Sequence, residues 1–234
     1  MISYHIIQGE IAMDTINEKK KPKLIACYSP KGGVGKSTIS TQLAVSAKAQ
    51  GKKVCFYDLD PQKTASYYLN QIGDKYRPDV ILHDFYNQAP PDDCDFIFLD
   101  CEPSNRFIPP KQFIIVAPTL ASGMDLHAYR TVLELEQEGY TVIRVLNQYS
   151  MVRGDDTKVK EKLDPCVIIG QNTGIRHAMN NFKTVWNSNH PSGKKARNQF
   201  KYLISRILVG SAETLSNKDI NAISLFGEID EKGE

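Results

Sequence analysis

The chain lacks several things, and each absence narrows what it can be. No apolar run reaches the roughly 18 residues that a membrane helix needs, and the first residues carry no long apolar core of a secretory signal. A membrane span and export are therefore not expected. The five cysteines (Cys27, Cys55, Cys94, Cys101, Cys166) are odd in number and irregularly spaced, with no C-x-x-C pair. That excludes a disulfide framework and a zinc ribbon and points to a reducing, cytoplasmic setting. Net charge is nearly absent from the total, with 29 Lys and Arg against 27 Asp and Glu. Negative charge is wholly absent from one region, because residues 165–212 contain no Asp or Glu.

What is present is an alternation. From Lys23 onward, short apolar runs ("KLIACYS", "KKVCFYD", "DVILHD", "DFIFLD", "QFIIVAP", "YTVIRVLN", "CVII") read as buried strands. Between them lie helical patterns, notably "KSTISTQLAVSAKAQG" and "DLHAYRTVLELEQEG", with two more near residues 174–181 and 192–208. Buried strands alternating with helices predict an α/β fold, a single-domain and predominantly parallel twisted sheet of seven or eight strands with helices on both faces. Residues 1–22 read as a short extension, 23–210 as the domain, and 211–234 as an acidic tail with six acids and two lysines.

The first strand runs into "SPKGGVGKST", where a phosphate-binding loop of the G-x-x-x-x-G-K-[ST] type would begin, except that Pro30 replaces its first glycine. Strand, glycine-rich loop and helix start are in the right order to aim backbone N–H groups and the helix dipole at an anion. Gly32, Gly33, Val34 and Gly35 form the wrap. Lys36 reaches the β- and γ-phosphates, and Ser37, followed by Thr38, offers a hydroxyl to Mg²⁺. Lys31 supplies an extra cation that compensates for the donor lost at Pro30. Two later strand ends deliver Asp58 with Asp60, and Asp100, to the sheet edge where ligands of open parallel sheets bind. These three carboxylates are expected to converge beside the phosphates, holding Mg²⁺ or orienting a water.

Lys31 followed by G-G-V-G-K-S-T, then D-L-D-P-Q, then L-D-C-E-P resembles the deviant Walker A ATPases of the ParA/MinD superfamily. The likeness extends through "VAPTLASGMDLHAY" and "IGQNTGIRHAMNNFKTVWNSNHPSGKKARNQFKYL", and so over roughly residues 23–208, nearest to small plasmid-type ParA proteins. It implies a P-loop NTPase fold, ATP and Mg²⁺ as cofactors, and an ATP-dependent homodimer. In such a dimer Lys31 reaches the partner subunit's nucleotide, Asp60 positions the attacking water and helps hold the metal, and Asp100 is the Walker B acid. Glu102 stands where many relatives have proline. Asn147, ending the "VIRVLN" strand, is a candidate adenine contact, with a structural turn role as the alternative.

The resemblance further implies DNA partitioning: ATP-bound dimers bind DNA non-specifically, associate with the nucleoid, and are released when a small centromere-binding ParB-like partner stimulates hydrolysis. The acid-free region supports this independently. It carries Arg176, Lys183, Lys194, Lys195, Arg197, Lys201 and Arg206, a footprint for phosphate backbones. On the last helix Ala196, Phe200, Leu203, Ile204 and Ile207 mark the core side, which leaves Lys194, Arg197 and Lys201 on an exposed strip. Positioning of a non-DNA cargo and a conjugation accessory role use the same machinery and stay open. A MinD-like membrane-surface role needs a basic amphipathic terminal helix, which the acidic tail does not provide. Iron–sulfur carriage by related ATPases needs paired cysteine ligands.

Overall fold

The computed structural model describes residues 21–104 and 107–209, and before them the backbone of two paired strands, β1 (Tyr4–Ile7) and β2 (Glu10–Met13). This antiparallel pair falls within the stretch expected to be an extension. The acidic tail lies outside the described residues.

Seven further strands make one sheet in the order β5-β4-β6-β3-β7-β8-β9, with every pair parallel. They are β3 (Lys23–Cys27), β4 (Val54–Asp58), β5 (Val80–Leu82), β6 (Phe96–Asp100), β7 (Ile114–Thr119), β8 (Val142–Tyr149) and β9 (Val167–Gly170). Their continuous apolar runs are explained by cover on both faces. β4 and β6 are buried at every position, so a period-two alternation would have left polar atoms stranded in a core.

On one face lie α1 (Lys36–Ala49), α2 (Thr64–Gln71), α6 (Thr173–Asn180) and α7 (Gly193–Val209), packed on Ile25, Phe56, Phe98 and Val116. On the other lie α3 (Gly123–Ala128), α4 (Arg130–Gln137) and α5 (Gly154–Leu163), over Ala26, Tyr57, Leu99 and Ile115. The single helix expected over 125–139 is two pieces meeting at Tyr129, whose hydroxyl donates to the Ala117 carbonyl beneath it. The sequence patterns above single out neither α2 nor α5.

α1 is buried almost all round, including its polar residues. Most of these polar groups are paired, the Gln42 amide oxygen being the exception. Thr41 donates to the Ser37 carbonyl (2.7 Å), Ser46 to the Gln42 carbonyl (2.6 Å), and the Gln42 amide to the Tyr68 hydroxyl (3.0 Å). An unpaired buried polar group costs about 1–3 kcal/mol, so these bonds let a polar helix sit in the centre of the molecule. Among the described residues, no helix is long and apolar enough to cross a membrane.

Candidate nucleotide and nucleic-acid sites

Register fixes the first site. Cys27 of β3 and Asp58 of β4 both pair with Asp100 of β6, so the three strands end level, and the loop 29–35 rises from that edge into α1. The loop needs glycine where its backbone turns left-handed. Gly33 has φ 78° and Gly35 has φ 100°. A Cβ on Gly35 would run into the Asn147 amide, and at φ 100° any substitution there is strained.

Lys36 is nearly buried, its ammonium donating to the Lys31 carbonyl (2.9 Å). Burial lowers its pKa, while Asp100 and Asp60 nearby act in the opposite direction. Asp100 is fully buried, and neither carboxylate oxygen accepts a hydrogen bond, although the Ser37 and Ser40 hydroxyls lie beside it. Burial pushes its pKa up to about 7. An orphaned, buried carboxylate next to serine hydroxyls is a hard-oxygen donor set of the kind Mg²⁺ takes, with water completing its shell. The residues present therefore fit the metal.

Asp60 lies half-buried in the turn after β4, accepting from the Gln62 N–H (2.8 Å). Lys63 closes that turn with φ 52°, a strained conformation for a lysine and the kind that clusters at working sites. Of the three carboxylates, Asp58 is the one already engaged, accepting from the backbone N–H and hydroxyl of Ser66 (2.8 and 2.7 Å) and so anchoring the first turn of α2, while its charge still acts on Asp100. Lys31 forms an ion pair with Asp125 in its own chain, and Ser122, the cap of α3, donates to the same carboxylate. Asp125 carries no conspicuous motif, and its part here shows only in three dimensions. Glu102 accepts from the Ser104 hydroxyl (2.8 Å) in the loop above β6.

Beside the loop opens a cavity of about 580 Å³ lined by Gly35, Thr38, Asn147, Ile169, Arg176 and Phe200 among others. Asn147 is on its wall, but the amide is engaged elsewhere. Its nitrogen donates to the Val34 carbonyl (2.8 Å) and its oxygen accepts from the Gln148 N–H (2.9 Å). Through the first of these bonds it braces the loop 29–35. The segment Gln171–Thr173, where Asn172 caps α6 by accepting from Gly174 N–H (2.7 Å), also lines this cavity.

The basic residues divide by burial. Arg176, Lys183, Lys194, Lys195 and Lys201 are exposed. Lys201 lies over the Trp186 ring, 5.6 Å from its centroid. Arg197 is half-buried and donates to the Val185 carbonyl (2.9 Å). Arg206 is only 6% exposed, within the core layer beneath α7, and its Nε meets no acceptor. Its place in a surface footprint is therefore corrected, because a charge count along a helix does not register which turn faces inward.

The family profile described as the CobQ/CobB/MinD/ParA nucleotide binding domain matches residues 25–226. Among solved structures, the chain is similar to a Borrelia burgdorferi B31 protein described as a plasmid partition protein, bound to AMPPNP. The TM-score is 0.61 at 16% identity, covering 80% of this chain and 100% of that one. It is also similar to the septum site-determining protein MinD of Pyrococcus horikoshii with Mg-ADP, at TM-score 0.60 and 18% identity over 83% of this chain and 100% of that one. Among curated sequences it matches the rat cytosolic Fe-S cluster assembly factor NUBP2, 60% identical over 37 residues, or 16% of this chain. The chain thus spans about one-seventh of that relative's length, since the match covers 14% of it.

Proposed function

The chain belongs to the CobQ/CobB/MinD/ParA nucleotide-binding domain family, and we propose that within it this protein is a DNA-partitioning ATPase. It binds ATP with Mg²⁺ at residues 31–38, dimerises around it, and holds non-specific duplex DNA on its α6–α7 face. A ParB-like partner that stimulates hydrolysis then releases it. The observation that carries this reading is the pairing of a phosphate loop with an acid-free region that displays five exposed cations. Phosphate backbones are bound by such surfaces without any base-reading element.

Each residue's task follows from its setting. The loop N–H groups and the Lys36 ammonium neutralise the phosphates. Asp100 and Ser37 would hold Mg²⁺, which supplies charge neutralisation on the phosphate oxygens when bound. Asp60, in its strained turn, orients a water for in-line attack. Lys31 must leave Asp125 before it can reach a nucleotide in a second subunit, so dimerisation exchanges one anionic partner for another. An iron–sulfur role, as in the relative matched over a short stretch, is disfavoured by chemistry. Cys27, Cys55, Cys94 and Cys101 are all buried, with their thiols held protonated chiefly by burial.

Sedimentation and fluorescence anisotropy on a labelled, unrelated duplex, with and without a non-hydrolysable ATP analogue, test the reading. ATP-dependent dimers that bind any duplex, and lose binding steeply with salt, are expected. DNA binding that ignores the nucleotide, or prefers one sequence, would sink it. Asp60→Ala should keep binding and dimerisation while losing turnover at least about 100-fold, the order of a positioned water's contribution. Wild-type turnover in that variant would remove Asp60 from its role.

A further inference from the structure

Beside α7 runs an open groove of about 640 Å³ that the nucleotide site does not use. Ile168 of β9, Pro191 and Tyr202 form its apolar walls, and Lys194, Lys195 and Asn198 its polar rim. β9 ends the sheet, so among the described residues no strand lies beyond Ile168 to cover this side. Tyr202 is 44% exposed, a large aromatic surface left open beside two exposed lysines. The combination suits a ligand that is apolar and anionic at once. Bare duplex phosphates have no use for Ile168, Pro191 and Tyr202.

We infer that this groove is the docking site of the chain's own acidic segment, residues 218–234, with Leu225 and Phe226 against the apolar walls and Glu228, Asp230 and Glu231 facing Lys194 and Lys195. Three observations carry it. The first is charge, because residues 211–234 bear six acids and two lysines, whereas 165–212 bear no acid at all. The second is composition, because the apolar pair Leu225–Phe226 comes directly before the acids Glu228, Asp230 and Glu231, matching walls and rim in one short stretch. The third is reach. From Val209 back to Lys194 the helix covers 15 residues, about 22 Å at 1.5 Å per residue. The 16 residues from Val209 to Leu225 can reach at most about 53–58 Å, so the chain is long enough to return to the groove.

The consequence for DNA rests on the function proposed above, whereas the docking itself does not. A segment seated there covers Lys194 and Lys195, so DNA must displace it, and the chain carries its own competitor for the basic face.

The test uses the full chain, with p-benzoylphenylalanine replacing Phe226. Irradiation should give an intramolecular adduct mapping to residues 191–202, lost when Lys194→Glu and Lys195→Glu are added. Adducts elsewhere, adducts only between two copies, or none at all would overturn the docking. In a second arm, full-length Glu228→Gln/Asp230→Asn/Glu231→Gln is compared with wild type for binding a labelled duplex with an ATP analogue at low salt. Removing three competing charges should tighten DNA binding about five- to tenfold. Equal affinities would overturn the competition. If neither protein binds DNA, the partitioning reading fails, and the crosslink still decides whether the segment docks.

Discussion

The phosphate end of the sheet and the basic face of α6 and α7 are built under different kinds of constraint. At the phosphate end, chemistry dictates residue type and spacing together. Position 35 favours glycine because φ is 100° and Asn147 crowds the space, and on the proposed function position 36 must carry an ammonium for the phosphates. On the basic face the same proposal dictates only a sum of charge, and any lysine that points outward would serve. One region therefore behaves as a motif and the other as a composition, and substitution should treat them differently.

The largest contrast should come from one atom-level change at the first region. Lys36→Ala removes a buried ammonium whose place is prepared by the Lys31 carbonyl, Asp100 and Asp60. Charge-assisted bonds of this kind contribute about 1.5–3 kcal/mol each, and on the proposed function the ammonium would serve two phosphates, so nucleotide affinity should fall at least about 100-fold. Titration with a fluorescent ATP analogue reads this directly. The fold should survive, because deleting a charge held in a desolvated place removes a cost. A variant that still binds within tenfold would show that the loop backbone alone is sufficient.

At the basic face, single changes should be mild and sums should matter. Lys194→Glu with Lys201→Glu should lower duplex affinity by about 10- to 100-fold at low salt and flatten the salt dependence, as expected when phosphate contacts are lost. Arg206→Met is the control that sharpens the contrast. Arg206 has an unpaired Nε and 6% exposure, so its loss should leave DNA binding within about twofold and hold or raise the melting temperature. If Arg206→Met weakened DNA binding as much as the lysine pair does, the face would have to reorganise to expose it.

The same contrast explains what could be read without coordinates. The sheet, its parallel sense and the loop follow from apolar runs and an ordered motif, and these are local signals. Two kinds of feature escaped. Helices α2 and α5 have weak or polar patterns because each buries only a narrow side, and the short "TASYYLNQ" resembles loop as much as helix. Pair choices between distant residues are also invisible in one dimension. Asp58 stands two residues from Asp60 in the same D-L-D, yet the register sends it to Ser66 and leaves Asp60 in the turn. Lys31 meets Asp125 across 94 positions, and only the packing of α3 over the sheet edge brings them together. The burial of Arg206 is of the same kind, since one turn of α7 rotates it under while Lys201 remains outside.

One further predicted effect links the phosphate site to stability. Asp100 has its pKa pushed by burial from the ordinary 3.8 to about 7, against the lowering influence of the Ser37 and Ser40 hydroxyls beside it and with the negative charges of Asp58 and Asp60 adding to the rise. A carboxyl whose folded-state pKa lies above its unfolded value keeps its proton longer in the folded chain. Its contribution is complete below about pH 4 and is lost as pH rises through about 7. Without nucleotide and Mg²⁺, the protein should therefore lose stability between about pH 4 and 7 on Asp100's account. Asp100→Asn should cancel that loss, melting above wild type at pH 8, by about 2–4 °C for each kcal/mol in a chain of this size, and level with it near pH 4. Adding ATP analogue and Mg²⁺ should reverse the order, because the metal uses the charge that the empty site can only bear as a cost. Scanning calorimetry at the two pH values, with and without ligand, separates these outcomes. An Asn variant that is less stable than wild type at pH 8 without ligand would mean the carboxylate is already satisfied, and Asp100 would then belong with Asp58 as a structural acid.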